Sequence, residues 1–148
     1  EGMQPLMRTD SETLMREGVQ TGRDTFVDFL TECDFQLEEI DKSVCHQVGA
    51  AHRKLMLESL GISQEIDFAT LKWLGNTGSV ALPTAMACGL ESGFIGSGDH
   101  IGMLGIGSGI NCIMIGVDWQ KTLVESNLDE VGRVGWELAD AQAVTTAD

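Results

Sequence analysis

Lys42-Ser43-Val44-Cys45-His46-Gln47-Val48-Gly49 is the stretch that decides the architecture. Residues 42–46 are short and apolar ahead of the histidine, the pattern of a buried strand, and residues 48–60 continue as a helix that Gly61 stops. Strand, polar end and helix in that order put His46 where open α/β sheets gather ligands, outside the carboxyl end of a strand. Upstream, Leu14, Val19, Phe26, Val27 and Leu30 form roughly a helical stripe over residues 11–30, with Asp10 or Ser11 as N-cap. Gly18 and Gly22 weaken the middle of that helix. Downstream, residues 68–73 lead less distinctly to Gly75-Asn76. Residues 80–90 are apolar nearly all round, as in a helix buried between layers, with Pro83 in the first turn, where a missing N–H costs nothing. Residues 100–104 and 110–117 read as two strands joined by the turn 105–109, the second apolar on both faces. No internal repeat is found.

Hydrophobic residues at 43% against 22% charged give the balance of a packed domain rather than a disordered chain. A net charge of −14 with only nine Lys and Arg argues against a nucleic-acid partner, because phosphate binding needs cations that displace counterions. Anionic membranes are disfavoured for the same reason. Cys33, Cys45, Cys88 and Cys112 show neither CxxC spacing nor disulfide-scaffold density, which fits a reducing cytoplasm. Cys88 and Cys112 sit in apolar stretches where free thiols pack as small hydrophobes. No signal or transit segment is read at the start. The longest apolar stretch, 101–117, is broken by five glycines and by Ser108 and Asn111, so it reads as a hairpin and not a membrane span.

Three segments carry the chemistry: Cys45-His46-Gln47-Val48-Gly49, Leu74-Gly75-Asn76-Thr77-Gly78-Ser79, and Gly105-Ile106-Gly107-Ser108-Gly109. A histidine, an asparagine and a glycine-rich turn, each between regular elements, are the parts of an oxyanion-handling site. In order and wording they resemble the C-terminal half of the condensing-enzyme branch of the thiolase superfamily, over residues 7–119. β-Ketoacyl-ACP synthase III has a strand ending in His-Gln-Ala-Asn, then Tyr-Gly-Asn-Thr before a buried helix, then a glycine-rich hairpin. Here His46-Gln47 is followed by Val48-Gly49, and the last loop reads Gly-Ile-Gly-Ser-Gly-Ile-Asn. That wording is most similar to the olefin-pathway thiolases that join two acyl-CoA chains head to head.

The resemblance implies an α/β fold: a thiolase-like C-terminal half, with layered helices on a mixed sheet, as an incomplete fragment. The family needs two such halves. A chain of 148 residues that begins at Glu1 is therefore read as truncated, with the nucleophilic cysteine on a missing N-terminal half. The resemblance assigns residues 1–119 to this domain and leaves 120–148 as an acidic tail or linker, partly helical in one reading. It further implies a homodimer of the complete enzyme, acyl-CoA or acyl-ACP as substrate, and no metal or other cofactor.

A neutral imidazole at His46 and a side-chain amide at Asn76 both donate hydrogen bonds, which is what a thioester enolate needs as charge moves onto its oxygen. The resemblance makes these two the catalytic partners of the missing cysteine. It also puts Gly105, Gly107, Ser108 and Gly109 beside that cysteine, shaping the oxyanion hole. Read without the family, His46 is a structural histidine at a strand end, Asn76 a helix cap, and the glycine-rich stretch an ordinary hairpin turn. His52 reads as a helix-face residue and His100 as the start of a strand. Cys45 adjoins His46, but neighbours on a strand point to opposite faces, so it reads as core. Three functions follow: a Claisen-condensing acyltransferase fragment, a non-catalytic thiolase-like subunit that binds acyl chains or completes a heteromer, and a cysteine hydrolase using Cys45 with His46.

Overall fold

The computed structural model of the chain describes residues 10–107 and 109–121. In chain order the elements are α1 (Ser11–Cys33), β1 (Lys42–Cys45), α2 (Ala50–Leu60), α3 (Leu71–Leu74), α4 (Ala81–Glu91), β2 (His100–Gly107) and β3 (Asn111–Asp118). Single 3-10 turns lie at Leu37–Glu39 and Gly78–Val80. The sheet order is β1-β2-β3, with β1 parallel to β2 and β2 antiparallel to β3. A parallel pair cannot be closed by a tight turn. Helices α2, α3 and α4 form the crossover between β1 and β2.

Alternation along the strands divides the core between the two faces of the sheet. Val44 and Ile101 pack with Ala85, Met86 and Ile95 on the α4 side. Cys45 and Leu104 pack with Phe26, Phe29, Met56, Leu57 and Leu60 on the α1 and α2 side. The fold is therefore helices layered on a mixed sheet.

α1 starts where Asp10 accepts the Thr13 N–H at 3.0 Å and ends three residues beyond the predicted stripe, at left-handed Asp34. Gly22 in its middle has a packing reason. A Cβ there would stand 2.9 Å from the Met56 sulfur, so the glycine lets α1 and α2 approach. The second helix begins at Ala50, not residue 48, and Gly61 ends it with φ +74°, a conformation glycine adopts without strain.

Two sequence expectations need correction. Helix α4 is not buried all round: Ala81, Ala85, Met86 and Gly89 face the sheet, whereas Pro83 and Ala87 are exposed. β3 is covered along one face and, on the other, at Val117, which packs with the α4-side core. α1 packs over Cys112, Met114 and Gly116, while Ile113 and Ile115 remain 67% and 48% exposed. Both elements carry apolar residues for two faces, and the described residues supply neighbours mainly for one. β2 runs to Gly107 instead of residue 104, β1 ends one residue before His46, and β3 keeps its predicted length shifted by one residue, at Asn111–Asp118.

A buried ion pair pins the crossover to the sheet. Asp67 bridges Ser43 of β1, whose N–H donates to the Ile66 carbonyl at 2.7 Å and whose hydroxyl donates to Asp67 Oδ1 at 2.9 Å. Arg53 of α2 donates through Nε to Asp67 Oδ2 at 2.6 Å and through its second nitrogen to the Asp67 carbonyl at 2.8 Å. Burial pushes the Asp67 carboxyl above its ordinary 3.8, while Arg53 and the Ser43 hydroxyl pull it back. Arg53→Met leaves that carboxylate buried without its cation. It should cost about 3–5 kcal/mol at neutral pH, measured by chemical denaturation. A carboxyl raised in the folded state takes up a proton more readily there than in the unfolded chain. The deficit should therefore shrink as pH falls through the folded value, and a pH-independent deficit would contradict this account.

Candidate active site

The three sequence-predicted segments are joined by backbone. His46 follows the last residue of β1 and continues the ladder, its N–H donating to the Leu104 carbonyl at 2.8 Å. That bond sets His46 beside the β2 residue just before Gly105. Val44 faces α4 and Cys45 the opposite layer, so the same alternation directs His46 to the α4 side of the sheet. Gln47, fully buried, accepts the Thr70 N–H through Oε1 at 2.9 Å. Thr70 is the N-cap of α3, and Gly75 at the other end of that single turn directly precedes Asn76.

His46 is half-buried, and burial lowers its pKa below the ordinary 6.5, which favours the neutral imidazole. His52, in the first turn of α2, is lowered by burial and then by repulsion from His46, so the two rings lie within electrostatic reach. Its Nδ1 is buried without a hydrogen-bond partner among the described residues. The positive N-terminal end of α2 adds to the cost of protonation there.

Asn76 is exposed in the loop between α3 and the 3-10 turn. Its Oδ1 accepts the Gly78 N–H at 2.9 Å, which fixes the amide's orientation and leaves Nδ2 as the donating group. A tethered donor of this kind loses little freedom when an oxyanion arrives.

The glycine-rich segment needs a correction. Gly105 and Gly107 belong to β2, paired with Ile113 and Asn111 of β3, and not to the connecting turn. The ladder runs further because Asn111 and Cys112 still find partners there. A Cβ at Gly105 would lie 3.0 Å from the Ile113 carbonyl, so close strand approach explains that glycine. The turn retains Gly109, at φ +77°, followed by Ile110 at φ +52°. Ser108 lies outside the described residues, as do residues 122–148 of the predicted tail.

Cys45 is buried, and burial, reinforced by the Asp67 carboxylate, pushes its thiol up to about 12. A thiol in that state supplies essentially no thiolate at neutral pH. His100 starts β2 as predicted and stacks on Phe35 at 5.3 Å. Sequence reasoning missed the Gln47–Thr70 bond, the Arg53–Asp67 pair and the nearness of His52 to His46. Two of these involve polar residues at positions that strand and helix periodicity mark as inward. Exposed apolar side chains accompany each segment: Val48 beside His46, Leu74 and Val80 around Asn76, and Ile113 opposite Gly105.

The family described as 3-Oxoacyl-[acyl-carrier-protein (ACP)] synthase III C terminal matches residues 30–119. An acyl-CoA:acyl-CoA alkyltransferase of Shewanella oneidensis is 46% identical over 114 residues, covering 77% of this chain and 33% of the relative. Among solved structures, Xanthomonas campestris OleA with bound lauric acid and lauroyl-CoA superposes with a TM-score of 0.72 at 34% identity, covering 80% of this chain and 35% of that one. FabH of Xanthomonas oryzae gives a TM-score of 0.74 at 33% identity, again covering 80% and 35%. The chain thus spans about a third of the length of the curated relatives it matches.

Both site histidines should titrate below 6.5 when followed by NMR, because burial disfavours the imidazolium of each. His46→Ala should move the His52 midpoint upward, since it removes a repelling charge. A His46 midpoint at or above 6.5 would show that burial does not hold the ring neutral.

Proposed function

Because the chain belongs to the family of 3-oxoacyl-ACP synthase III C-terminal domains, within the thiolase-like condensing acyltransferases, we propose that it supplies the enolate-stabilising half of a Claisen-condensing active site. The observation that carries this reading is the pair of donors held on linked segments: a half-buried His46 biased to neutrality at a strand end, and an Asn76 amide tethered through Oδ1. Residues 1–119 constitute the domain in this reading, and 120–148 a separate tail.

The nucleophile is a cysteine on a companion half. Its thiolate attacks an acyl thioester, forming the acyl-enzyme and releasing the carrier thiol. A second thioester then becomes an enolate, either by giving an α-proton to a general base or by losing an α-carboxylate as CO2. The enolate carbon attacks the acyl-enzyme carbonyl, a carbon–carbon bond forms, and the cysteine thiolate departs to leave a β-keto thioester. His46 and Asn76 donate to the enolate oxygen as charge gathers there, in a site that must exclude water. The 46%-identical relative is named for two acyl-CoA partners, which supports acyl-CoA as the thioester at both steps.

The exposed Val48, Leu74, Val80, Ile113 and Ile115 fit a companion surface closing over these segments. The hydrolase reading through Cys45 is disfavoured by its buried, strongly raised thiol. No helix among the described residues is long and apolar enough to cross a membrane.

With the nucleophile-bearing half present, His46→Ala and Asn76→Ala should each slow condensation about 10²- to 10³-fold while acyl-enzyme still forms. Asn76→Asp should be at least as harmful, because it sets a negative charge against the enolate. Mass spectrometry of the acyl-enzyme beside the condensation rate makes the test. Unimpaired condensation in both alanine variants would remove these residues from the mechanism, and thiol-dependent thioester cleavage by this chain alone would restore the hydrolase.

A further inference from the structure

We propose that Gln47 is the positioning residue that holds the His46 segment and the Asn76 segment in mutual register, an inference that rests on the roles given to those two residues above. Gln47 is 0% exposed, and its Oε1 accepts the Thr70 N–H at 2.9 Å, with the Thr70 hydroxyl more distant at 3.4 Å. Thr70 is itself buried, makes no side-chain capping bond to α3, and accepts the Trp73 and Leu74 N–H groups through its carbonyl at 3.0 and 2.9 Å. A single helical turn is too short to fix its own position. The chain leading to it is tied to β1 through Asp67 and the Phe68 N–H, and the Gln47 oxygen holds the turn itself at its N-cap. The Gly75 N–H closes the other end on Leu71 at 3.0 Å, and Asn76 follows.

The path from one donor to the other is thus a covalent step from His46 to Gln47, one buried hydrogen bond to Thr70, and one helical turn. Gln47 uses only its acceptor in this path. Its Nε2 is buried with no hydrogen-bond partner among the described residues. Glutamine brings an acceptor oxygen to that reach without burying a charge. Methionine has similar volume and no such acceptor, and asparagine is one methylene short. Loss of the bond lets the Asn76 turn shift against His46. A misplacement of about 1 Å in a reacting constellation costs on the order of 10²-fold in rate.

The test uses the complete condensing enzyme, comprising this chain and the half that carries the cysteine, with an acyl-CoA as substrate. Gln47→Met should lower kcat for condensation about 10- to 100-fold. KM should stay within about twofold, and the acyl-enzyme formed per folded chain, counted by mass spectrometry, should match the parent. Gln47→Asn should act in the same direction, and it carries the test if the methionine variant does not fold. Thr70→Val, which keeps the N–H and removes the distant hydroxyl, should leave kcat within about twofold because the backbone bond carries the effect. Acylation and condensation falling together in Gln47→Met and Gln47→Asn would reduce Gln47 to a general stabiliser and overturn the proposal. So would an unchanged kcat in both. His46→Ala and Asn76→Ala run in parallel separate the two ideas: if they impair condensation and the Gln47 variants do not, only the positioning role fails. If none of the four does, the site reading fails with it.

Discussion

Four residue pairs of parallel backbone, Lys42 with Ile101 through Cys45 with Leu104, are the constraint on which the rest of the structure depends. Both halves of the core are anchored to this seam, Val44 and Ile101 on one face, Cys45 and Leu104 on the other. Parallel pairing obliges the intervening chain to cross over, and α2 and α4 of that crossover pack against the seam. The polar groups considered for chemistry sit at its carboxyl end, where His46 prolongs β1 and Gly105 prolongs β2. A slip of one residue would reverse the faces of Val44 and Cys45 and carry His46 with them.

Electrostatic control of this region comes from position more than from net charge. The chain carries −14, yet among the described residues the buried ionic contact is the Arg53–Asp67 pair, held by three hydrogen bonds that include the Ser43 hydroxyl. That pair stiffens the crossover behind the site. Partial burial favours the neutral form of both imidazoles in front of it, and His46 adds to that at His52. The same burial that favours a neutral imidazole at His46 suppresses the thiolate of Cys45, so one environment biases the two groups toward their uncharged forms.

Much of this was legible in the sequence because it follows from periodicity and punctuation. The strand before His46, the stop at Gly61, the Asp10 cap and the start of β2 at His100 all depend on local patterns. What periodicity could not reveal was the pairing of polar residues distant in sequence. Gln47 with Thr70 and Arg53 with Asp67 are separated by 23 and 14 residues, and neither pair leaves a local signature. The turn was placed too early because Gly105 and Gly107 carry the composition of a loop, although in the ladder their missing side chains serve close approach. α4 was read as buried between layers, and β3 as apolar on both faces, because hydrophobicity records what a residue is suited to contact, not whether that neighbour lies within the same stretch of chain.

β3 carries a different consequence. It lies at the edge of the three-stranded sheet formed by the described residues, and residues 111–117 contain no charge and no proline, with Ile113 and Ile115 turned outward. An uncharged, β-branched edge is a template for strands of other molecules, and a window of this length is enough to seed cross-β stacking. The acidic surplus elsewhere in the chain opposes such association between identical molecules through mutual repulsion. Solubility is therefore itself salt-dependent: ionic strength that screens the acids leaves the edge strand unguarded, and the interval between synthesis and burial of that edge becomes the hazardous one.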